Sequence, residues 1–217
     1  MISRFNTTLV CALTTLMLVS CQSAYYSAME KVGTHKRDIL IDRVEEATSS
    51  QEDAKEEFIS ALEQLSNLIA FDGGELQTQY ELSKESFESS NEAAEEVSAR
   101  IDAIEDVAEA LFDEWRDEIE QYSNQSLKRQ SERQLSTTEK RYLTVIKAMH
   151  KAEDKMLPIL SSLKDNMLYL KHNLNAKAIG ALKGEYKVIK QDINRLIIQM
   201  NKSIEDSQAF ISTLKSS

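Results

Sequence analysis

Apolar residues recur at alternating steps of three and four positions along most of this chain. The mean step of 3.5 residues is the heptad period, in which one stripe of each helix faces its neighbours. Four apolar seams follow this pattern, from Leu40 to Leu68, Leu76 to Trp115, Leu135 to Leu163 and Ile179 to Leu214. No stretch shows the period-two alternation that a half-buried strand requires. The pattern therefore predicts an all-α fold, namely a long antiparallel helical bundle or coiled coil of three to four helices.

Three interruptions of the seams predict turns. Gly73 and Gly74 form the clearest one, because glycine readily adopts the left-handed conformation that ends many helices. The second turn is predicted at 122–126, with a rival at 136–139, where the spacing of a capping box occurs. The earlier site gives the first three helices nearly equal lengths, so that antiparallel neighbours cover each other. The third turn is predicted near residue 174, where Asn175 can cap the last helix. The predicted helices then span residues 25–71, 75–122 and 127–174, with a fourth following.

The scarcity of turn-forming residues supports this architecture. The chain has 217 residues but only five glycines and one proline, so few connections are expected. Pro158 falls inside the predicted third helix, where proline removes a backbone hydrogen bond and clashes with the preceding turn. Because the apolar seam continues through Ile159 and Leu163, we expect a kink at Pro158 and not the end of the helix.

Charge is distributed unevenly between the four segments. The net charge is −10, and a chain this acidic is not expected to bind nucleic acid, because phosphates repel it. Residues 72–123 contain three Lys or Arg against 17 Asp or Glu, whereas residues 124–175 contain ten against five. Residues 176–217 contain seven against four. This asymmetry favours packing of the acidic second helix against the two basic ones.

The first 20 residues have the composition of an export signal. Arg4 supplies a positive charge, and residues 8–19 form an apolar stretch of about a dozen residues, which is too short to span a bilayer. The end of this stretch and the two residues after it resemble a bacterial lipobox, in which an aliphatic and a small residue precede a cysteine: Leu18, Val19, Ser20 and Cys21.

The lipobox resemblance implies cleavage before Cys21 and acylation of this cysteine by a diacylglycerol and an N-acyl chain such as palmitate. Residues 1–20 would then be a signal peptide, residues 21–24 a short tether and residues 25–217 a single elongated domain. Gln22, where some lipoproteins have Asp, resembles the class sorted to the outer membrane. We therefore expect the periplasmic leaflet of that membrane. Cys11 would leave with the signal, so an intramolecular disulfide is not expected.

The sequence carries no recognisable catalytic motif. None of His35, His150 and His172 stands in the Glu-x-x-His pattern of bundle metal sites. His150 and Asp154 share a helix face and would need further ligands to hold a metal, so a solvated polar face is the preferred interpretation. No Gly-rich phosphate loop and no Gly-x-Ser-x-Gly motif is present. We expect no enzyme, no metal and no cofactor apart from the acyl chains.

Polar residues cluster at the predicted third turn, in the stretch YLKHNLNAKAIGALKGEY. They form either a capped hairpin end or a contact patch at the tip of the bundle: Tyr169, Lys171, His172, Asn173, Asn175 and Lys177. This stretch, with YSNQSLKR at 122–129, KMLPIL at 155–160 and the lipobox, resembles a bacterial family described as a domain of unknown function (DUF2959). The resemblance implies a helical envelope lipoprotein and supplies no catalytic residue.

Two functions are compatible with these features. The first is a lipid-anchored structural or adaptor protein of the bacterial envelope, bound to the membrane through Cys21 and to an unidentified envelope protein. Its heptad seams could also form an oligomer. The alternative is a bundle that opens to carry an amphiphile or lipid, because polar or small residues interrupt the seams. These weak positions are Gln51, Ser83, Ser90, Thr138, Ser203 and Ser207.

Overall fold

The structure, a computed structural model, describes residues 35–71, 73, 75–173 and 176–216, excluding the side chains of residues 176–178. Within these ranges the chain forms four α-helices and no strand, which confirms the all-α prediction. The helices are α1 (Lys36–Ala70), α2 (Leu76–Glu120), α3 (Gln125–His172) and α4 (Ala176–Lys215). They contain 35, 45, 48 and 40 residues. At 1.5 Å per residue the longest extends about 70 Å.

The helix ends agree with two of the predicted turns. α1 ends at Ala70 and α2 begins at Leu76, so Gly73 lies between them as expected, while Gly74 is outside the described residues. Asn124 caps the start of α3: its side-chain oxygen accepts hydrogen bonds from the backbone amides of Ser126 (2.9 Å) and Leu127 (3.2 Å). This contact satisfies amide donors that the first helical turn leaves unpaired.

The rival turn at residues 136–139 is wrong, since these residues lie inside α3. The seam explains this result: Leu135 and Thr138 are both buried, so a break there would expose the stripe that packs on the other helices. The hydroxyl of Thr137 donates to the backbone carbonyl of Arg133, within the same helix. Asn175, the predicted cap of the last helix, lies outside the described residues.

The four helices form a closed antiparallel bundle. α1 packs against α2, α2 against α3, and α3 against α4, and α4 returns to pack against α1. α4 therefore lies mainly against α1 and α3, and not beside the acidic α2 as the charge pattern suggested. Short connections make successive helices neighbours, and closure of the bundle then places α4 next to α1. Exposed ion pairs are individually too weak to change this order.

The core is one continuous cluster of apolar side chains that runs along the bundle. Every predicted seam residue of α1, from Leu40 to Leu68, is buried, as is almost every one in α4. The seam of α2 is only half-buried between Leu76 and Phe87, buried from Ser90 to Leu111 and half-buried again at Trp115. All members of the cluster, from Ile39 to Leu214, belong to α1–α4. A chain that contains these four helices therefore carries the whole of this core.

Pro158 lies within α3, which continues to His172. The side chain of Pro158 is exposed, while the next residue, Ile159, is 1% exposed. Burial of the following seam residues is the physical reason that the helix does not end at the proline. The kink at Pro158 stays a prediction. None of the described helices has an apolar stretch sufficient to cross a bilayer.

Candidate functional site

The predicted contact patch lies at the C-terminal end of α3. Tyr169, Lys171 and His172 are exposed there, and Asn173 is half-buried. The side-chain amide of Asn173 donates to the backbone carbonyl of Tyr169 (2.9 Å), and its backbone amide donates to the carbonyl of Leu170 (3.1 Å). These bonds satisfy carbonyls that the last helical turn leaves unpaired, as expected for a capped hairpin end.

Two residues of the predicted patch are not brought into this cluster by the structure. Asn175 lies outside the described residues, and Lys177 belongs to α4 without a described side chain. The basic residues Lys171 and His172 occupy the last turn of α3, where positive charge complements the helix dipole. The contacts and positions of the four described residues therefore support a role in ending the helix. They do not assemble a binding site.

A second polar cluster lies between α2 and α3, around His150. Its Nδ1 contacts a carboxylate oxygen of Glu153 (2.9 Å), and its Nε2 contacts one of Glu105 (3.2 Å). The hydroxyl of Ser98 donates to Glu153, which extends the network along the same interface. His150 therefore links α3 to α2 through Glu105, and Glu153 adds a second link through Ser98.

Electrostatics favour the charged form of this histidine. Partial burial lowers the pKa of His150, but hydrogen bonds to Glu153 and Glu105 outweigh it, and the pKa lies above its usual 6.5. The two carboxylates contact opposite ring nitrogens, so they do not converge on one point where an ion could sit. Among the residues the structure describes, no group of three or more His, Cys, Asp or Glu is arranged to hold a metal.

His150 was recognised in the sequence as a candidate polar site, but the residues that contact it were not identified. The sequence pattern paired His150 with Asp154, whereas the structure places Glu153 on its Nδ1 and the remote Glu105 on its Nε2. The three-residue spacing to Glu153 was a usable signal, because residues three apart share a helix face. The contact with Glu105, on another helix, required the register between α2 and α3.

Aromatic residues also form contacts between α2 and α3, outside the hydrogen-bond network of His150. Trp115 is half-buried, and its Nε1 donates to the hydroxyl of Ser131 (2.8 Å). The rings of Phe112 and Tyr142 pack edge to face with centroids 5.4 Å apart. Burial, followed by the negative charges of Glu105 and a further α2 carboxylate, raises the pKa of Tyr142 to about 12. These contacts hold α2 and α3 together and leave Tyr142 protonated at neutral pH.

Several polar side chains are buried in the core without hydrogen-bond partners. Gln51 is 0% exposed, and neither atom of its amide group has a partner within the described part of the chain. The same holds for the hydroxyl of Ser203 on α4. The contacts Lys55–Asn201 and Glu45–Lys215 bracket the stretch of the α1–α4 interface that contains both residues. Other such groups are the hydroxyl of Ser90 and the amide nitrogen of Asn166.

A groove of about 410 Å³ lies between α2 and α3, beside the His150 network. Its wall combines polar groups, including Ser98 and Glu153, with Met156, Leu157 and Leu160. Cys21 and the residues of the lipobox, Leu18, Val19 and Ser20, lie outside the described residues. The acylation site stays a prediction from the sequence.

Comparison with known families agrees with the resemblance noted in the sequence. The chain matches the model of a family described as "Protein of unknown function (DUF2959)" over residues 25–214. The chain belongs to this family. No curated protein matches it.

Proposed function

We propose that this member of the DUF2959 family is a lipid-anchored structural or adaptor protein of the bacterial envelope, without catalytic activity. The observation that carries the proposal is the continuous core of the bundle, which runs along helices of up to 48 residues. A rod of about 70 Å gives an extended surface for partners while its own interior is occupied by packed side chains.

The side chains with unusual environments support a structural role. His150, Tyr142 and Trp115 all make contacts across the α2–α3 interface. Each of these contacts joins two helices, which is how interior polar and aromatic groups stabilise a bundle. An attachment at Cys21 would supply the anchor, because several acyl chains on one residue hold a protein stably at a bilayer. The proposed location is the periplasmic leaflet of the outer membrane.

The anchor is tested by replacing Cys21. In cells labelled with a radioactive fatty acid, the wild-type chain should carry label and sediment with membranes, whereas Cys21→Ser should lose the label. Cys11→Ser is the matched control, because it removes the other cysteine and leaves the lipobox intact. An unlabelled wild type, or equal labelling of Cys21→Ser, would exclude the lipid anchor. The envelope partner can be captured by crosslinking in intact cells before lysis.

The second candidate function is transport of an amphiphile, favoured by the unpartnered polar groups in the core. Gln51 and Ser203 weaken the α1–α4 interface, because burying polar groups without hydrogen bonds costs free energy. An interface that separates easily could admit an acyl chain. Native mass spectrometry of the purified chain should then show bound lipid. A chain free of lipid that also melts in one sharp transition would argue against transport.

A further inference from the structure

Charge is segregated across the width of the bundle. α1 contains four Lys or Arg against nine Asp or Glu, and α2 contains three against 15. α3 reverses the balance with ten against five, and α4 follows with seven against four. Because the packing order is α1, α2, α3, α4 around the bundle, the two acidic helices are adjacent and so are the two basic ones. One long side is therefore acidic and the opposite side basic.

Exposed aliphatic side chains follow the same division. Among the most exposed ones on α3 and α4 are Leu143 (59%), Val188 (53%) and Ile198 (63%), whereas Leu157 (66%) lines the groove between α2 and α3. On the acidic helices, by contrast, the most exposed large aliphatic side chains are Ile59 and Leu82, at 37% and 39%. The basic side thus combines positive charge with apolar side chains that the bundle itself does not cover.

The lysines on this side are available to a partner. Lys147 and Lys151 on α3, and Lys183 and Lys187 on α4, are exposed and form no ion pair with any residue the structure describes. Two other cations there are compensated: Arg195 contacts Asp192 (2.6 Å). Lys202 similarly contacts Asp206 (2.7 Å) and Glu205.

α3 and α4 also share an outer groove. A groove of about 320 Å³ runs between α3 and α4 on the outside of the bundle. It is lined by Lys151, Asp154, Lys155 and Pro158 from α3 and by Asp192 and Arg195 from α4.

We propose that the α3–α4 side is a docking surface for a bilayer of anionic phospholipids, on which the bundle lies with its long axis in the membrane plane. The lysines would meet headgroup phosphates, and Leu143, Val188 and Ile198 would enter the boundary between headgroups and acyl chains. Basic and aliphatic residues on one face are the combination that holds helices at an anionic membrane surface. The inference rests on the proposed function only in that both place the chain beside a membrane.

A second copy of the chain is the competing partner, since its acidic side would also attract these lysines. That side exposes few aliphatic side chains, so it would leave Leu143, Val188 and Ile198 poorly covered. An acyl boundary covers them fully, which removes apolar surface from water. The exposed aliphatics therefore favour the bilayer over self-association.

The experiment measures how much of a chain of residues 22–217 sediments with lipid vesicles. This chain retains α1–α4 and with them the whole described core. It lacks Cys21, so no acyl chain contributes to binding. Vesicles of phosphatidylcholine alone are compared with vesicles containing about one quarter phosphatidylglycerol. Neutralisation of four lysines tests the charge: Lys147→Gln, Lys151→Gln, Lys183→Gln and Lys187→Gln. A matched control lowers the net charge by the same amount on the acidic side, at exposed positions. It combines Gln77→Glu, Thr78→Glu, Ala99→Glu and Gln121→Glu.

Binding of the wild type should require phosphatidylglycerol and should weaken with salt, which screens exposed charges. Each lysine at an anionic surface contributes roughly fivefold, so the four substitutions should weaken binding on the order of 600-fold at low ionic strength. The acidic-side control should bind within a few-fold of the wild type. Val188→Gln with Ile198→Gln should also weaken binding, whereas Ile59→Gln with Leu82→Gln should not. Circular dichroism verifies that each variant keeps its helices.

Several results would overturn the proposal. One is failure of the wild type to sediment with either vesicle, and another is an equal loss of binding by the acidic-side control and the lysine variant. A third is light scattering that shows a wild-type oligomer which the lysine substitutions dissociate, because it would identify a second copy as the partner. The acylation of Cys21 is measured separately, so failure of the docking surface and failure of the anchor give different results.

Discussion

Gln51 offers the sharpest test of how the core of this bundle is stabilised. It occupies a seam position on α1, is 0% exposed, and has no described hydrogen-bond partner for its amide oxygen or nitrogen. Replacing Gln51 with Leu removes both polar atoms and keeps a side chain of similar volume. We predict that Gln51→Leu stabilises the protein, because the substitution ends the desolvation cost of an unpaired amide.

The magnitude follows from the burial of the group. An unpartnered buried amide costs about 1–3 kcal/mol, so Gln51→Leu should raise the free energy of unfolding by about that amount. For a domain of this size, each kcal/mol raises Tm by roughly 2–4 °C. The exposed Gln134 on α3 serves as the control. Gln134→Leu should change stability by no more than about 0.5 kcal/mol, as is usual for a surface substitution.

The assay is urea unfolding followed by circular dichroism, with the midpoint and the slope m fitted separately. A higher midpoint at unchanged m means that stability itself has changed. If Gln51→Leu leaves the midpoint unchanged or lowers it, while Gln134→Leu behaves as expected, the amide of Gln51 is not an energetic cost to the fold. Ser203→Ala, at the other unpartnered group of the α1–α4 interface, should then also give no gain.

Two further substitutions test the α2–α3 interface and the proline of α3. The raised pKa of His150 means that its contacts with Glu105 and Glu153 contribute fully below about pH 6.5 and are lost as the pH rises through the folded-state pKa. His150→Ala should therefore destabilise by roughly 0.2–1 kcal/mol near pH 5.5 and by less near pH 8.5, and equal losses at both pH values in urea unfolding would contradict this. Pro158→Ala should restore a donor toward the carbonyl of Asp154 and raise stability by about 1–3 kcal/mol in thermal melts, because the proline side chain is exposed. A lower Tm for Pro158→Ala would mean that the packing of α3 depends on the proline.

The seams were predictable from the sequence because burial in a bundle repeats with the heptad. Gln51, Ser203 and Ser207 were assigned to the seams despite their polarity, and all three are 0% exposed. The break between α2 and α3 was also predictable, although a competing site at 136–139 has capping-box spacing. Helix length favoured the earlier site, and burial of Thr138 explains why α3 continues through 136–139.

The polar clusters were only partly predictable. The exposed end of α3 was found from Tyr169, Lys171, His172 and Asn173, because asparagine and basic residues mark helix ends. The network of His150 with Glu105 was not, since the two residues are 45 positions apart. Many acidic residues on α2 could have met that imidazole, and only the register of the two helices selects one of them.

The sequence by itself determined the helices and their buried stripes, because both depend on neighbours three, four or seven positions apart. It also determined the charge of each segment, because that charge is a sum over the residues. The order of the helices around the bundle was decided only by tertiary structure. Short connections and closure place α4 against α1, so the acidic pair and the basic pair form opposite sides. Segment charges alone had favoured a different neighbour for α2, because weak, screened ion pairs cannot override the burial of a continuous core.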